Sequence, residues 1–111
     1  MCNSLIFKPL GGGVKVSTST AIFRAKRFVD TKISKNRKYL QADYRSLLLH
    51  VLQSRFGASV DEMIEAFPWS RATIFRALAV GKWLEENHNT KTIQKRITEI
   101  TDYIIYYNRY T

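Results

Sequence analysis

The feature that most constrains this chain is a run of apolar residues at helical spacing that ends in a glycine. Leu40, Tyr44, Leu47, Leu48, Val51, Leu52 and Phe56 recur mostly at steps of three and four, and Gly57 follows. That period marks one long helix, and a glycine just past its last turn supplies the stop. Ser59-Val60-Asp61-Glu62 then has the spacing of a capping box, with Ser59 as N-cap and Glu62 reaching back. Val60, Met63, Ile64 and Phe67 give the short helix that follows an apolar face, and Pro68 ends it because proline cannot donate the helical bond. Ser70 caps a third segment that runs to about Glu86, with Ile74, Leu78, Gly81 and Leu84 along one side. Gly81 costs about 1 kcal/mol relative to Ala inside a helix, so it marks either a break or a close helix crossing.

The flanking segments are read in the same way. Residues 1–18 are expected to be a flexible leader containing Gly11-Gly12-Gly13. This glycine run lacks the Gly-Lys-Ser/Thr element of a phosphate-binding loop. Residues 19–38 are expected to form a basic helix or arm, with the helix over 19–34 and a basic linker from Lys32 to Lys38. Ile22, Ala25, Val29 and Ile33 fall at helical spacing, Phe28 lies beside them, and Ser19 or Thr20 can cap the start. Arg24, Lys26 and Arg27 line the other surface. Beyond a polar loop at 87–90, Ile93, Ile97, Ile100, Ile104 and Tyr107 form a heptad seam about two heptads long. The seam suits dimerisation, with closure of the chain's own core as the alternative. A helix is expected there, with a short β wing over the strand-forming Tyr103 to Tyr107 as the alternative.

Composition bounds what such a chain can be. At 111 residues with 45% hydrophobic and 24% charged residues, one globular domain is expected over 19–111. Every apolar run is far shorter than the ~20 residues of a membrane span, and Leu5-Ile6-Phe7 is too short for a signal-peptide core. Cys at position 2 excludes glycine myristoylation. Cys2 is the only cysteine, which excludes an internal disulfide and a multi-cysteine zinc site and fits a reducing, cytoplasmic setting. The net charge of +9 is concentrated: residues 1–45 carry ten basic groups against two acids, and residues 46–111 carry eight against seven. Such asymmetry points to contact with a polyanion.

Residues 59–78 carry the functional signal. The second half, Ser70-Arg71-Ala72-Thr73-Ile74-Phe75-Arg76-Ala77-Leu78, resembles the recognition helix of helix-turn-helix DNA-binding regulators, including winged-helix variants. The resemblance covers about 20 of the 111 residues. It implies a mainly α domain with residues 40–86 as the helix-turn-helix core and 90–110 as a dimerisation segment. Independently of the resemblance, a helix that reads a major groove needs one apolar face and one small, polar, basic face. Ile74, Leu78 and Ala77 supply the first; Arg71, Thr73 and Arg76 supply the second and are the base-reading candidates. Ser70, Lys26, Arg27, Lys35, Arg37, Lys38 and Lys82 are the phosphate-binding candidates. Two positions depart from the family pattern: Pro68 stands where glycine is usual in the turn, and Ile64 where a small residue marks the helix crossing.

Catalysis calls for converging titratable groups. His50 is expected at the surface or boundary of the long helix, and His88 lies in a polar loop with Glu85 three residues back. Asp61, Glu62, Glu65, Glu85 and Glu86 suit capping and solvation. Trp69 is expected as a lid on the turn, Trp83 as core, and Tyr103, Tyr106, Tyr107 and Tyr110 at a core or interface edge. The expectation is therefore a non-enzymatic, sequence-specific binder of double-stranded DNA, most simply a dimeric repressor of the kind used by phages or plasmids. It requires no cofactor, metal or small-molecule ligand. A helical protein-interaction module, or an RNA or single-strand binder working through the basic half, is the alternative.

Overall fold

A computed structural model describes residues 16–35 and 38–109. Among these residues the order is α1 (Thr18–Thr31), α2 (Lys38–Phe56), α3 (Val60–Ala66), α4 (Arg71–Asn87) and α5 (Lys91–Ile105), with 3-10 turns at Ile33–Lys35 and Tyr107–Arg109. The helix starts follow local chemistry. Ser17, Ser59, Ser70 and Thr90 each accept a hydrogen bond from the backbone N–H three residues on, a cap worth roughly 1 kcal/mol each. The capping box of α3 is complete: Glu62 accepts from the Ser59 N–H at 2.8 Å and Ser59 accepts from the Glu62 N–H at 3.1 Å. Gly57, at φ 73°, ends α2 in the left-handed conformation that its lack of a Cβ permits.

The centre of the fold is α2. Ser46 to Leu52 are buried without a break, and seven successive helical positions point in every direction around the axis. A helix covered all round is a core helix. On its Tyr44 side lie α1 and α5: the Phe28 ring is 6.1 Å from that of Tyr44, the Arg96 guanidinium sits 5.2 Å over the Tyr44 ring, and the Tyr44 hydroxyl donates to Glu99 at 2.9 Å. On the other side α4 crosses at Gly81, where an added Cβ would collide with the Ser46 carbonyl and come within 2.7 Å of His50 Cβ. Positions 44 and 46 differ by about 200° around a helix, so α2 is sandwiched between these two layers. Gly81 therefore marks a close crossing inside a continuous helix, not a break.

Several expectations are corrected here. α1 is capped by Ser17 and not by Ser19 or Thr20, and Thr18 donates to the Phe56 carbonyl at 2.6 Å. Val16 packs against the core, so residues 16–18 belong to the fold and not to the leader. Residues 1–15, with Cys2 and the glycine run, lie outside the described residues. The face that α1 buries holds Ala21, Ala25 and Phe28, with Ile22 and Val29 at its edge; two alanines let the helix come close enough to bury the Phe28 ring. His50 is buried, contrary to expectation, because α4 covers its side of α2.

The C-terminal segment is helical to Ile105, and no strand occurs among the described residues, so the wing alternative is not realised there. Its seam closes the chain's own core. Ile93, Ile97, Ile100 and Ile104 are all buried. Tyr107 is half-buried, at 5.6 Å from the Tyr103 ring. The four isoleucines are thus consumed within one chain, and Tyr107 keeps part of its surface exposed. No helix among the described residues is long and apolar enough to cross a membrane.

Candidate nucleic-acid interface

α3, the turn after it and α4 form the candidate site. The turn is built without glycine. Phe67, at φ −113° and ψ 150°, is extended ahead of Pro68, as a residue before proline prefers to be. Phe67 is buried and its ring stacks on Trp69 at 4.9 Å between centroids and 5° between planes. The Arg45 guanidinium lies 5.3 Å over the other aromatic of this stack, Trp69. Trp69 thus covers the turn as the lid expected of it. Gly81 gives clearance to the α2 crossing and not to the α3–α4 pair; Ile64 packs at the core edge.

α4 presents the predicted candidates on its outer side. Arg71 and Arg76 are exposed in its first two turns. Arg71 reaches Asp61 of α3 at 3.6 Å, with both side chains largely in solvent. Such a pair is worth little and is readily exchanged for another anion. Thr73 is half-buried, and its hydroxyl accepts from Ser70 at 3.0 Å while Ser70 itself caps the Thr73 N–H. The Ser70 hydroxyl is thereby occupied in capping. The Arg71 and Ala72 amides, in the first turn, have no intrahelical acceptor. Lys82 is exposed further along the helix.

The other basic candidates stand elsewhere. Lys26 and Arg27 of α1 and Lys35 of the 3-10 turn are exposed, but α1 packs on the face of α2 opposite the one α4 uses. The structure does not bring them together with Arg71, Thr73 and Arg76. Arg24 is structural: it donates to the Ile104 carbonyl at 2.7 Å and packs 5.1 Å over the Tyr107 ring, tying α1 to α5. Arg37 lies outside the described residues, as does the Lys38 side chain.

Three features escaped the sequence reading. First, Trp83 is 55% exposed, not core, and Phe75 and Val80 are also largely exposed. Gly81 faces α2, and a residue two positions on points about 200° away, so the glycine itself was the signal for an outward Trp83. Second, Glu85 does not pair with His88. It turns inward, 2.5 Å from His50 Nε2, and accepts from Arg55 at 2.6 Å. The Arg55 hydrogen bond, aided by His50, holds the Glu85 carboxyl below its ordinary value of 4.5 against an opposing effect of burial. This network locks the C-terminal half of α4 to α2. Third, Arg45 of α2 lines a cleft shared with Thr73 and Arg76. Among the described residues no three His, Cys, Asp or Glu side chains converge as a metal site would need. Comparison with known proteins found no matching family model, no similar curated protein and no similar solved structure.

Proposed function

We propose that the chain binds double-stranded DNA and reads its sequence through α4, acting as a compact transcriptional regulator, most simply a repressor, in a cytoplasmic setting. One observation carries this reading: Arg71 and Arg76 are exposed in the first two turns of α4, while Ile74, Ala77 and Leu78 of the same helix are buried against the fold. That two-faced helix, preceded by the short α3 and a tight turn, is what major-groove insertion requires. Arginine reads guanine O6 and N7 through two parallel hydrogen bonds. The exposed Lys26, Arg27 and Lys35 add nonspecific attraction to the polyanion from the far side of α2, as a long-range field and not as part of the reading surface. Binding is dimeric on an inverted repeat, through a contact surface other than the buried isoleucines of α5.

The test is selection of bound sequences from a random duplex pool at near-physiological salt, followed by binding of Arg71→Ala and Arg76→Ala to the selected site. Enrichment of a defined sequence, with each variant losing about 1–3 kcal/mol and Arg71→Ala relaxing base choice, supports the reading. An unenriched pool overturns it. A second reading rests on Phe75, Val80 and Trp83, whose exposure on α4 suits a protein partner with an apolar ridge flanked by carboxylates facing Arg71, Arg76 and Lys82. Absence of duplex binding together with loss of a protein complex in Trp83→Ser would favour it.

A further inference from the structure

Beside the base-reading face, α2 and α4 enclose a cleft of about 170 Å³ lined by Asp43, Arg45, Ser46, Thr73 and Arg76 among others. Its charge is unbalanced. Arg45 and Arg76 approach it from two different helices, and among the described residues neither is paired with a carboxylate. The one acid at the cleft, Asp43, is already engaged by Arg96 at 3.3 Å. Arg45 Nε is buried with no hydrogen-bond partner. A buried donor of this kind is costly to leave unmade, and two guanidinium groups on one small cleft repel each other until an anion lies between them.

Arg45 is also held in place. Its guanidinium packs over Trp69, which stacks on the buried Phe67. The flat group is thus presented at a set orientation by the turn that precedes α4. A planar, pre-oriented guanidinium with a second guanidinium and a hydroxyl nearby matches a tetrahedral oxyanion. A cleft of this size has room for one phosphate group and a few waters, not for a nucleotide.

We infer that this cleft is a phosphate site, in which Arg45, Arg76 and Thr73 seat one backbone phosphate of the duplex and so set the register of α4 in the groove, which leaves Arg71 as the base reader and gives Arg76 and Thr73 a positioning role. The inference rests on the DNA reading above. It adds a residue from α2 that carries no sequence information itself and fixes where the reading helix sits.

The experiment has two arms on the full chain. In the first, inorganic phosphate is titrated against chloride at constant ionic strength while the Arg45 and Arg76 Nε–H resonances are followed by NMR. In the second, duplex binding is measured over a range of salt for wild type, Arg45→Gln and Arg45→Lys, with thermal melts to check folding. The proposal predicts saturable shifts of both resonances with phosphate or with duplex. Arg45→Gln should lose about tenfold or more in duplex affinity, equally for all sequences, and the log–log salt slope should fall by about 0.9. Arg45→Lys should recover the slope but only part of the affinity. Phosphate binding without duplex binding would keep the site, assign it to free phosphate and defeat the DNA reading. Duplex binding with an unmoved Arg45 resonance and an unchanged slope in folded Arg45→Gln would keep the DNA reading and overturn the site. Silence in both arms overturns both.

Discussion

α4 and α5 are similar helices put to different uses. Each is capped by a hydroxyl side chain, each is about four turns long, and each carries apolar residues in excess of a narrow seam. α5 places Ile93, Ile97, Ile100, Tyr103 and Ile104 inside. α4 buries only Ile74, Ala77, Leu78 and Gly81 and leaves Phe75, Val80 and Trp83 in solvent beside Arg71, Arg76 and Lys82. Folding accounts for the apolar content of α5 apart from the half-buried Ile105 at its end. It does not account for the outer side of α4, and the surplus there is what a binding surface would use.

Truncating one large side chain on each helix should separate the two by the widest margin. Ile100→Ala on α5 removes a fully buried side chain and should cost about 2–5 kcal/mol. Phe75→Ala on α4 removes one that is 51% exposed and should change stability by only about 0.5 kcal/mol. Urea melts measure both. A Phe75→Ala loss comparable with that of Ile100→Ala would mean that α4 is packed in solution by something the single chain does not show.

Gly81→Ala gains the helix propensity of alanine, about 1 kcal/mol. Its Cβ, however, would meet the Ser46 backbone and His50 Cβ at 2.7 Å. Backbone cannot yield as a side-chain tip can, so α4 has to lift away from α2. Overpacking of this kind costs roughly 1–3 kcal/mol, and net destabilisation is expected together with weakened ligand binding through a displaced α4. A stabilised Gly81→Ala would show that the crossing is looser than described.

These two sites also show how far the sequence could be read. Period and caps carried the elements: Leu40 to Phe56 with Gly57, the Ser59/Glu62 box, and Ser70 before α4 all follow local rules, and local rules are legible in a single chain. Orientation was harder. Whether Ile93 and Ile97 face their own core or a second copy depends on partners that periodicity does not encode. Which side of α2 meets α4 decided the burial of His50 and the exposure of Trp83, and only Gly81 hinted at it. The site divides along the same line. Arg71, Thr73 and Arg76 were visible as one short motif. Arg45, 26 to 31 positions earlier in the chain, joins them only because two helices cross.

Acid should loosen the contact between α2 and α4 more gently. Glu85 is held below its ordinary value of 4.5 by Arg55 first and then His50, so the unfolded chain takes up its proton before the folded one does. Its contribution to stability is therefore complete above pH 4.5 and is lost as the pH falls below that value. Glu85→Gln should cost roughly 1–2 kcal/mol near neutrality and should remove this part of the acid sensitivity. Urea melts of both proteins at several pH values down to about 3 test it. Parallel curves for wild type and variant would mean that the carboxylate contributes nothing through its charge.

The smallest effect tests whether the outer face of α4 is poised for an anion. Among the described residues Arg71 is tethered only by Asp61, at 3.6 Å, with 64% and 86% of the two side chains exposed. An exposed pair of this kind stabilises the fold little, so Asp61→Asn should leave the melting behaviour unchanged. It does remove a carboxylate that competes with DNA for the guanidinium and repels phosphate across the groove. Duplex affinity should therefore rise by a few-fold at low salt, and the gain should shrink as salt screens the lost repulsion. Arg71→Ala in the same background should abolish the gain, because the carboxylate then has no guanidinium to withhold. A gain that survives Arg71→Ala would show that Asp61 acts only through general repulsion and that Arg71 does not meet the duplex.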